Sequence, residues 1–169
     1  MLLFRRNIVL VFCLALFLQA CGFKPLYTTQ DGVSISPSFG EIKILSIPNK
    51  DGQFLRNLLI DRIYTEGRPA NTRYSLKIKS VKETTSRLGI RKDASATRAQ
   101  LRLTAGMILI DHQSNNETVL KRDIKSVVSF NILDNQYATL ITEQDARERA
   151  LNEISNDVIM QLSLFFNRS

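Results

Sequence analysis

Two groups of residues in this chain have types and spacing that could do chemistry: a cysteine preceded by a small residue, and a dense run of cations. Leu18-Gln19-Ala20-Cys21 has the form of a site where a leader is cut immediately before a cysteine whose sulfur then carries fatty acyl chains such as palmitate. Cys13 departs with such a leader, so Cys21 would have no partner in the chain and an internal disulfide is excluded. Acylation also occupies a thiol that would otherwise be exposed to an oxidising compartment. Each buried methylene contributes about 0.8 kcal/mol to membrane attachment, and two or more acyl chains make it effectively permanent.

The residues before Cys21 agree with this reading. Arg5 and Arg6 precede an apolar run from Ile8 to Leu18, a positive region followed by a hydrophobic one. That run is shorter than the roughly 20 residues a membrane-spanning helix needs. Residues 1–20 are read as a lipoprotein signal peptide, 21–40 as the acylated N-terminus and a tether containing Thr, Ser, Gly and Pro, and 41–169 as a single domain. Gly22, rather than an aspartate, follows the cysteine, so the expected destination is the outer membrane.

The cations concentrate. The formal net charge is +7, and between Arg68 and Arg102 lysines and arginines face only Glu83 and Asp93. Anionic partners follow from that balance. Nucleic acid would be the first candidate inside a cell, but an exported chain meets phosphorylated lipid instead. Adjacent Arg91 and Lys92, with Arg87 and Arg98 beside them, could meet phosphates by charge-assisted hydrogen bonds. The same charges could equally keep a hairpin tip solvated. Lys77, Lys79 and Lys82 fit either a contact with a partner or a bare solvent face.

Catalysis finds no support in these residues. The one histidine, His112, stands beside Asp111 at a strand end, so no paired-histidine metal site exists. Neither a Gly-x-Ser-x-Gly elbow, a glycine-rich phosphate loop nor a Cys/His cluster occurs. No catalytic residue, no metal site and no cofactor beyond the covalent lipid on Cys21 is expected.

The elements that must position the cations can be read from periodicity. Glu41–Ile47 alternates and ends at Pro48, a first strand, followed by a turn at residues 49–52. Between Gln53 and Glu66, Phe54, Leu55, Leu58, Leu59, Ile63 and Tyr64 recur at helical spacing, with Gly67 as the stop. From Tyr74 the period becomes two, with Tyr74, Leu76 and Ile78 against Ser75, Lys77 and Lys79. Arg87–Thr97 reads as a long basic hairpin loop, after which alternation resumes from Ala99 to Leu109 and again from Val119 to Phe130. A closing helix is expected from a cap at Thr142, with Ala146, Leu151, Ile154, Val158, Leu162 and Phe165 on its stripe. Of Phe165 and Phe166, the one off the stripe is a candidate interface residue. Tyr137, between the last strand and this helix, is expected to be packed with its hydroxyl satisfied. The predicted fold is α+β, a two-layer sandwich of two helices on a four-stranded, mostly antiparallel or mixed sheet.

Three stretches carry a resemblance: Cys21-Gly22-Phe23-Lys24-Pro25-Leu26-Tyr27, the basic hairpin Arg91–Arg98, and Tyr137-Ala138-Thr139 leading into Asp145-Ala146-Arg147-Glu148-Arg149-Ala150. Together they resemble the lipopolysaccharide-assembly lipoprotein family LptE, in its alphaproteobacterial form. The resemblance implies a lipid-anchored outer-membrane protein that sits inside the β-barrel LptD as a one-to-one partner. It further implies that the chain supports assembly of that barrel and contacts lipopolysaccharide as it is inserted. An envelope adaptor lipoprotein that binds another anionic component would share the anchor and the charge, but would not accompany a barrel.

Overall fold

Strict alternation in the middle of the chain builds the sheet. From Ala99 to Leu109 every second side chain is buried, so the strand turns one face to a core and the other outward. The computed structural model describes residues 37–65, 67–90 and 96–168, all within the unit Ile35–Ser169. In it this strand is β4 (Ala96–Asp111). Around it run β1 (Ile42–Ile44), α1 (Asn49–Ile63), β2 (Tyr74–Ile78), β3 (Lys82–Ile90), β5 (Glu117–Asn131) and α2 (Gln136–Phe166).

β1 pairs β2 in parallel, with α1 as the crossover between them; β2, β3 and β5 all pair β4 antiparallel. One face of this mixed sheet carries Leu76, Leu101, Leu103, Met107, Leu109, Ile124 and Phe130 into the core. The helices close that face: α1 buries Leu55, Leu59 and Ile63, and α2 buries a stripe from Ala146 to Leu162. Arg62 of α1 donates to the side chain of Asn152 of α2 at 3.0 Å, joining the two helices at their rim. Tyr64 latches α1 to β1, its hydroxyl donating to Ile42 O at 2.9 Å and accepting from Ile44 N at 3.0 Å. The α+β, two-helix architecture is the one predicted.

The described residues hold five strands where four were predicted, because the second is broken. Ile78 pairs Met107 and Lys82 pairs Thr104, so four steps along the edge chain match three along β4. One residue is extra, as in a β-bulge, and it reverses the alternation. Lys82 thereby falls on the outer face and Glu83 on the helix side.

Other boundaries moved for local reasons. The first strand is only Ile42–Ile44, preceded by a 3-10 turn over Pro37–Glu41. The predicted turn at residues 49–52 is the first turn of α1, and that helix ends at Ile63 rather than at Gly67. The basic hairpin is shorter than expected, since β3 runs to Ile90 and β4 starts at Ala96. The last helix begins at Gln136, not near Thr142. Asn135 caps it, its side chain accepting from Tyr137 N at 2.8 Å and Ala138 N at 3.2 Å. Thr142 lies inside the helix with its hydroxyl donated to Asn131 O at 3.0 Å. Phe166 packs edge-on against Phe39 and Tyr74.

Candidate anionic-ligand interface

The face of the sheet opposite the helices is covered by no described element, and the strand register sorts its charges into rows. Lys77 of β2 and Lys121 of β5 stand on either side of Ile108 of β4. Lys82 of β3 and Lys125 of β5 stand on either side of Thr104. Arg102, between Thr84 and Val127, and Arg98, between Leu88 and Asn131, extend the same face along β4. Lys43 adds to it from β1, opposite Ser75. All of these cations are exposed, and none makes an ion pair among the described residues.

Between the two lysine rows lies Gly106. Its backbone oxygen accepts from Lys79 N at 2.9 Å, and the side chains of Lys79 and Asp123 lie over the space that a Cβ would take. Asp123, opposite Gly106, is a carboxylate on this face. Flanking strands put each lysine pair about 9.6 Å apart at the backbone, and the rows about 13 Å apart along β4. Two flexible ammonium groups reaching in over a neutral side chain can converge on one phosphate, and the two rows suit a ligand with two anionic groups. Exposed charges of this kind are readily screened, so any anion held by them would be held less tightly as salt rises.

The residues predicted from sequence separate. Arg98 belongs to this face. Arg87 pairs Ala99, whose side chain is in the core, so Arg87 projects on the helix side, opposite to Arg98. Arg91, Lys92 and Cys21 lie outside the described residues. The reading of charge density missed Lys43, Lys121 and Lys125, which fall outside the basic stretch. For the last two the signal was in the pattern: with Ile124 and Val128 inward, odd-numbered neighbours must point outward.

Tyr137 is corrected by the structure. It was expected to be packed, but it is 72% exposed, because the helix starts earlier and turns position 137 to the outside. Leu133, Leu140 and Ile141 beside it are also exposed.

At the other end of the sheet, His112 is exposed in a turn. Its Nε2 lies 2.8 Å from Ser75 Oγ and its Nδ1 2.6 Å from Asn116 Oδ1. Asp111 beside it is buried and accepts from Arg73 Nη2 at 2.8 Å, Gln113 N at 2.8 Å and Ser114 Oγ at 3.3 Å. The bond from Arg73 is the largest cause holding the Asp111 carboxyl below the ordinary carboxylate range, against the cost of burial. The described residues contain no cluster of His, Cys, Asp and Glu able to hold a metal ion, and no helix long and apolar enough to cross a membrane.

Comparison with known proteins follows this geometry. The sequence model of the lipopolysaccharide-assembly family LptE matches residues 39–164. Among curated proteins none matches significantly. A candidate lipoprotein from Caulobacter crescentus is similar in structure, with a TM-score of 0.61 at 21% identity over 78% of this chain and 95% of that one. A minor lipoprotein from Acinetobacter baumannii gives 0.60 at 18% identity, over 76% of this chain and 92% of that one. Rare lipoprotein B from Shewanella oneidensis gives 0.58 at 11% identity, over 74% and 96%. At these identities the likeness is one of fold.

Proposed function

Because the chain belongs to the lipopolysaccharide-assembly family LptE, we propose that it is an outer-membrane lipoprotein that accompanies an LptD-type β-barrel, one copy to one, and contacts lipopolysaccharide during its insertion. The family is a non-enzymatic one, and no reaction is assigned to this chain. In this reading residues 1–20 are the signal peptide, Cys21 carries the acyl chains, and the domain stands inside the barrel with lipid passing beside it.

The observation that carries the lipid contact is the unpaired cation face, where Lys77 and Lys121 flank Ile108, and Lys82 and Lys125 flank Thr104. Phosphate groups of the glycolipid supply the matching charge, and the ammonium groups orient it without forming any bond that must later be broken. Arg98 contributes at the end of the same face. Arg91 and Lys92 extend the basic run in sequence and remain part of the proposal, with Arg87 as a contact from the other side of the sheet.

The test is a pull-down of the full chain from outer membranes in mild detergent, with mass analysis of what stays bound. Equal amounts of one large β-barrel are expected. Recovery without a barrel overturns the reading and leaves an envelope adaptor for another anionic component.

A further inference from the structure

We infer that Asp123 is a specificity-determining residue of the cation face, placed so that the face holds two phosphates kept apart and turns away a pair held together. The inference rests on the lipid contact proposed above and names what selects the ligand there. Along β4 the outer face changes charge row by row. Lys77 and Lys121 flank Ile108, Lys79 and Asp123 lie on either side of Gly106, and Lys82 and Lys125 flank Thr104. Arg102, between Thr84 and Val127, follows in the next row. Two dicationic rows are thus parted by one of no net charge, and the second is backed by a further cation. Lys43, opposite Ser75, stands on the side of the first row. Glu41, level with Arg73, and Glu117, opposite Asp111, lie beyond that row at the end of the sheet.

A glycine makes the middle row compact. Gly106 leaves open the space above β4, and both neighbours lean into it. Asp123 Oδ1 comes within 3.2 Å, and Lys79 Cδ within 3.4 Å, of the point where a Cβ would stand. The two charges share one small area without closing an ion pair, and Asp123 makes none with any described residue. Its carboxylate is exposed, so it meets whatever anion approaches the centre of the face. Lys121 and Lys125 are its second neighbours along β5, each about 7 Å away at the backbone.

Such a pattern reads the arrangement of charge rather than its total. The lysine rows lie about 13 Å apart. A disaccharide lipid phosphorylated at both ends carries two sugar rings between its phosphates. It can set one phosphate on each row, with uncharged sugar over Asp123, where hydroxyls donate to the carboxylate. Cardiolipin has two phosphates joined by a single glycerol, which is too short to reach both rows. It must crowd onto one row or centre its charge over Asp123. At about 7 Å in water each unit of like charge weakens binding by about threefold at low salt. Selection by such a repulsive element adds to what the lysines supply by attraction.

The experiment measures binding of the full chain, at low salt and in one detergent, to a glucosamine disaccharide lipid phosphorylated at both ends and to cardiolipin. The parent chain is compared with Asp123→Asn and Asp123→Glu. The parent is expected to prefer the disaccharide lipid by about tenfold. Asp123→Asn should gain about threefold or more on cardiolipin and less on the disaccharide lipid, narrowing the preference, while Asp123→Glu keeps it. Equal gains on both lipids, no gain on either, or a parent without preference overturns this inference and leaves the lipid contact intact. A parent that binds neither lipid overturns both. Thermal unfolding of Asp123→Asn should match the parent, because the side chain is exposed and unpaired among the described residues. A lowered midpoint would make Asp123 a structural residue and overturn its role in selection.

Discussion

Arg147 of α2 grips Glu83 of β3 with two arms of its guanidinium, Nε to Oε2 at 2.8 Å and Nη2 to Oε1 at 2.9 Å. Gln144 accepts from Nη1 and Glu143 from Nη2, at 2.9 Å each. The bonds to Glu83 are the largest cause raising the Arg147 pKa further above its ordinary value. β3 is an edge strand whose exposed helix-side residues otherwise include Thr85 and Arg87, so this pair is its tie to the helix layer.

Breaking the pair should loosen one half of the sheet only. Glu83→Gln or Arg147→Gln is expected to lower stability by about 1 kcal/mol, the range for a partly exposed bidentate pair. Hydrogen exchange should quicken at β3 amides and leave β2 amides unchanged. Equal quickening in both strands would refute a local tie.

Two glycines should respond oppositely to alanine. A Cβ at Gly52 would come within 2.7 Å of Ile47 Cγ2 and 3.1 Å of the Ile47 carbonyl, which is backbone and cannot swing away. Gly52→Ala is therefore expected to cost about 1–3 kcal/mol in chemical denaturation, the usual range for overpacking. At Gly106 the neighbours are the mobile ends of Asp123 and Lys79, at 3.2 and 3.4 Å. Gly106→Ala should stay within about 0.5 kcal/mol of the parent chain.

Asp111 makes stability depend on acid. Its carboxyl is held below the ordinary value of 3.8 first by the hydrogen bond from Arg73, so the folded state takes up this proton later than the unfolded one. The resulting stability is fully present above that ordinary value and is lost as the pH falls below it and through the folded pKa. Denaturation midpoints measured down the acid limb should fall less steeply in Asp111→Asn, which lacks the titrating group, while that variant is less stable at neutral pH.

The two faces of the sheet should separate in lipid binding. Lys77→Ala and Lys121→Ala are each expected to weaken binding of the full chain to lipopolysaccharide in solution by about three- to tenfold, and to flatten its salt dependence. Arg122→Ala, on the helix side opposite Met107, should weaken it by less than about twofold. An equal loss from all three would mean that charge alone, not the outer face, recognises the ligand.

The local pattern by itself determined the two helices, the alternating strands and their inward stripes, because period and burial are properties of neighbouring residues. Leu101, Leu103 and Leu109 on β4, and Leu151 to Leu162 on α2, are buried as their spacing predicts. The density of lysine and arginine was equally legible. What the tertiary structure alone decided is which charges share a surface. The extra residue between Ile78 and Lys82 reverses the face of everything after it, bringing Lys82 into line with Lys77 and Lys79 and sending Glu83 to Arg147. Pairing across β4 then joins Lys121 and Lys125 to cations some forty residues earlier and parts Arg87 from Arg98. Asn135, by capping the helix early, leaves Tyr137 outside. Register and cap choice depend on which partners a backbone N–H or C=O finds in space, and a one-residue shift in either turns a side chain to the opposite face.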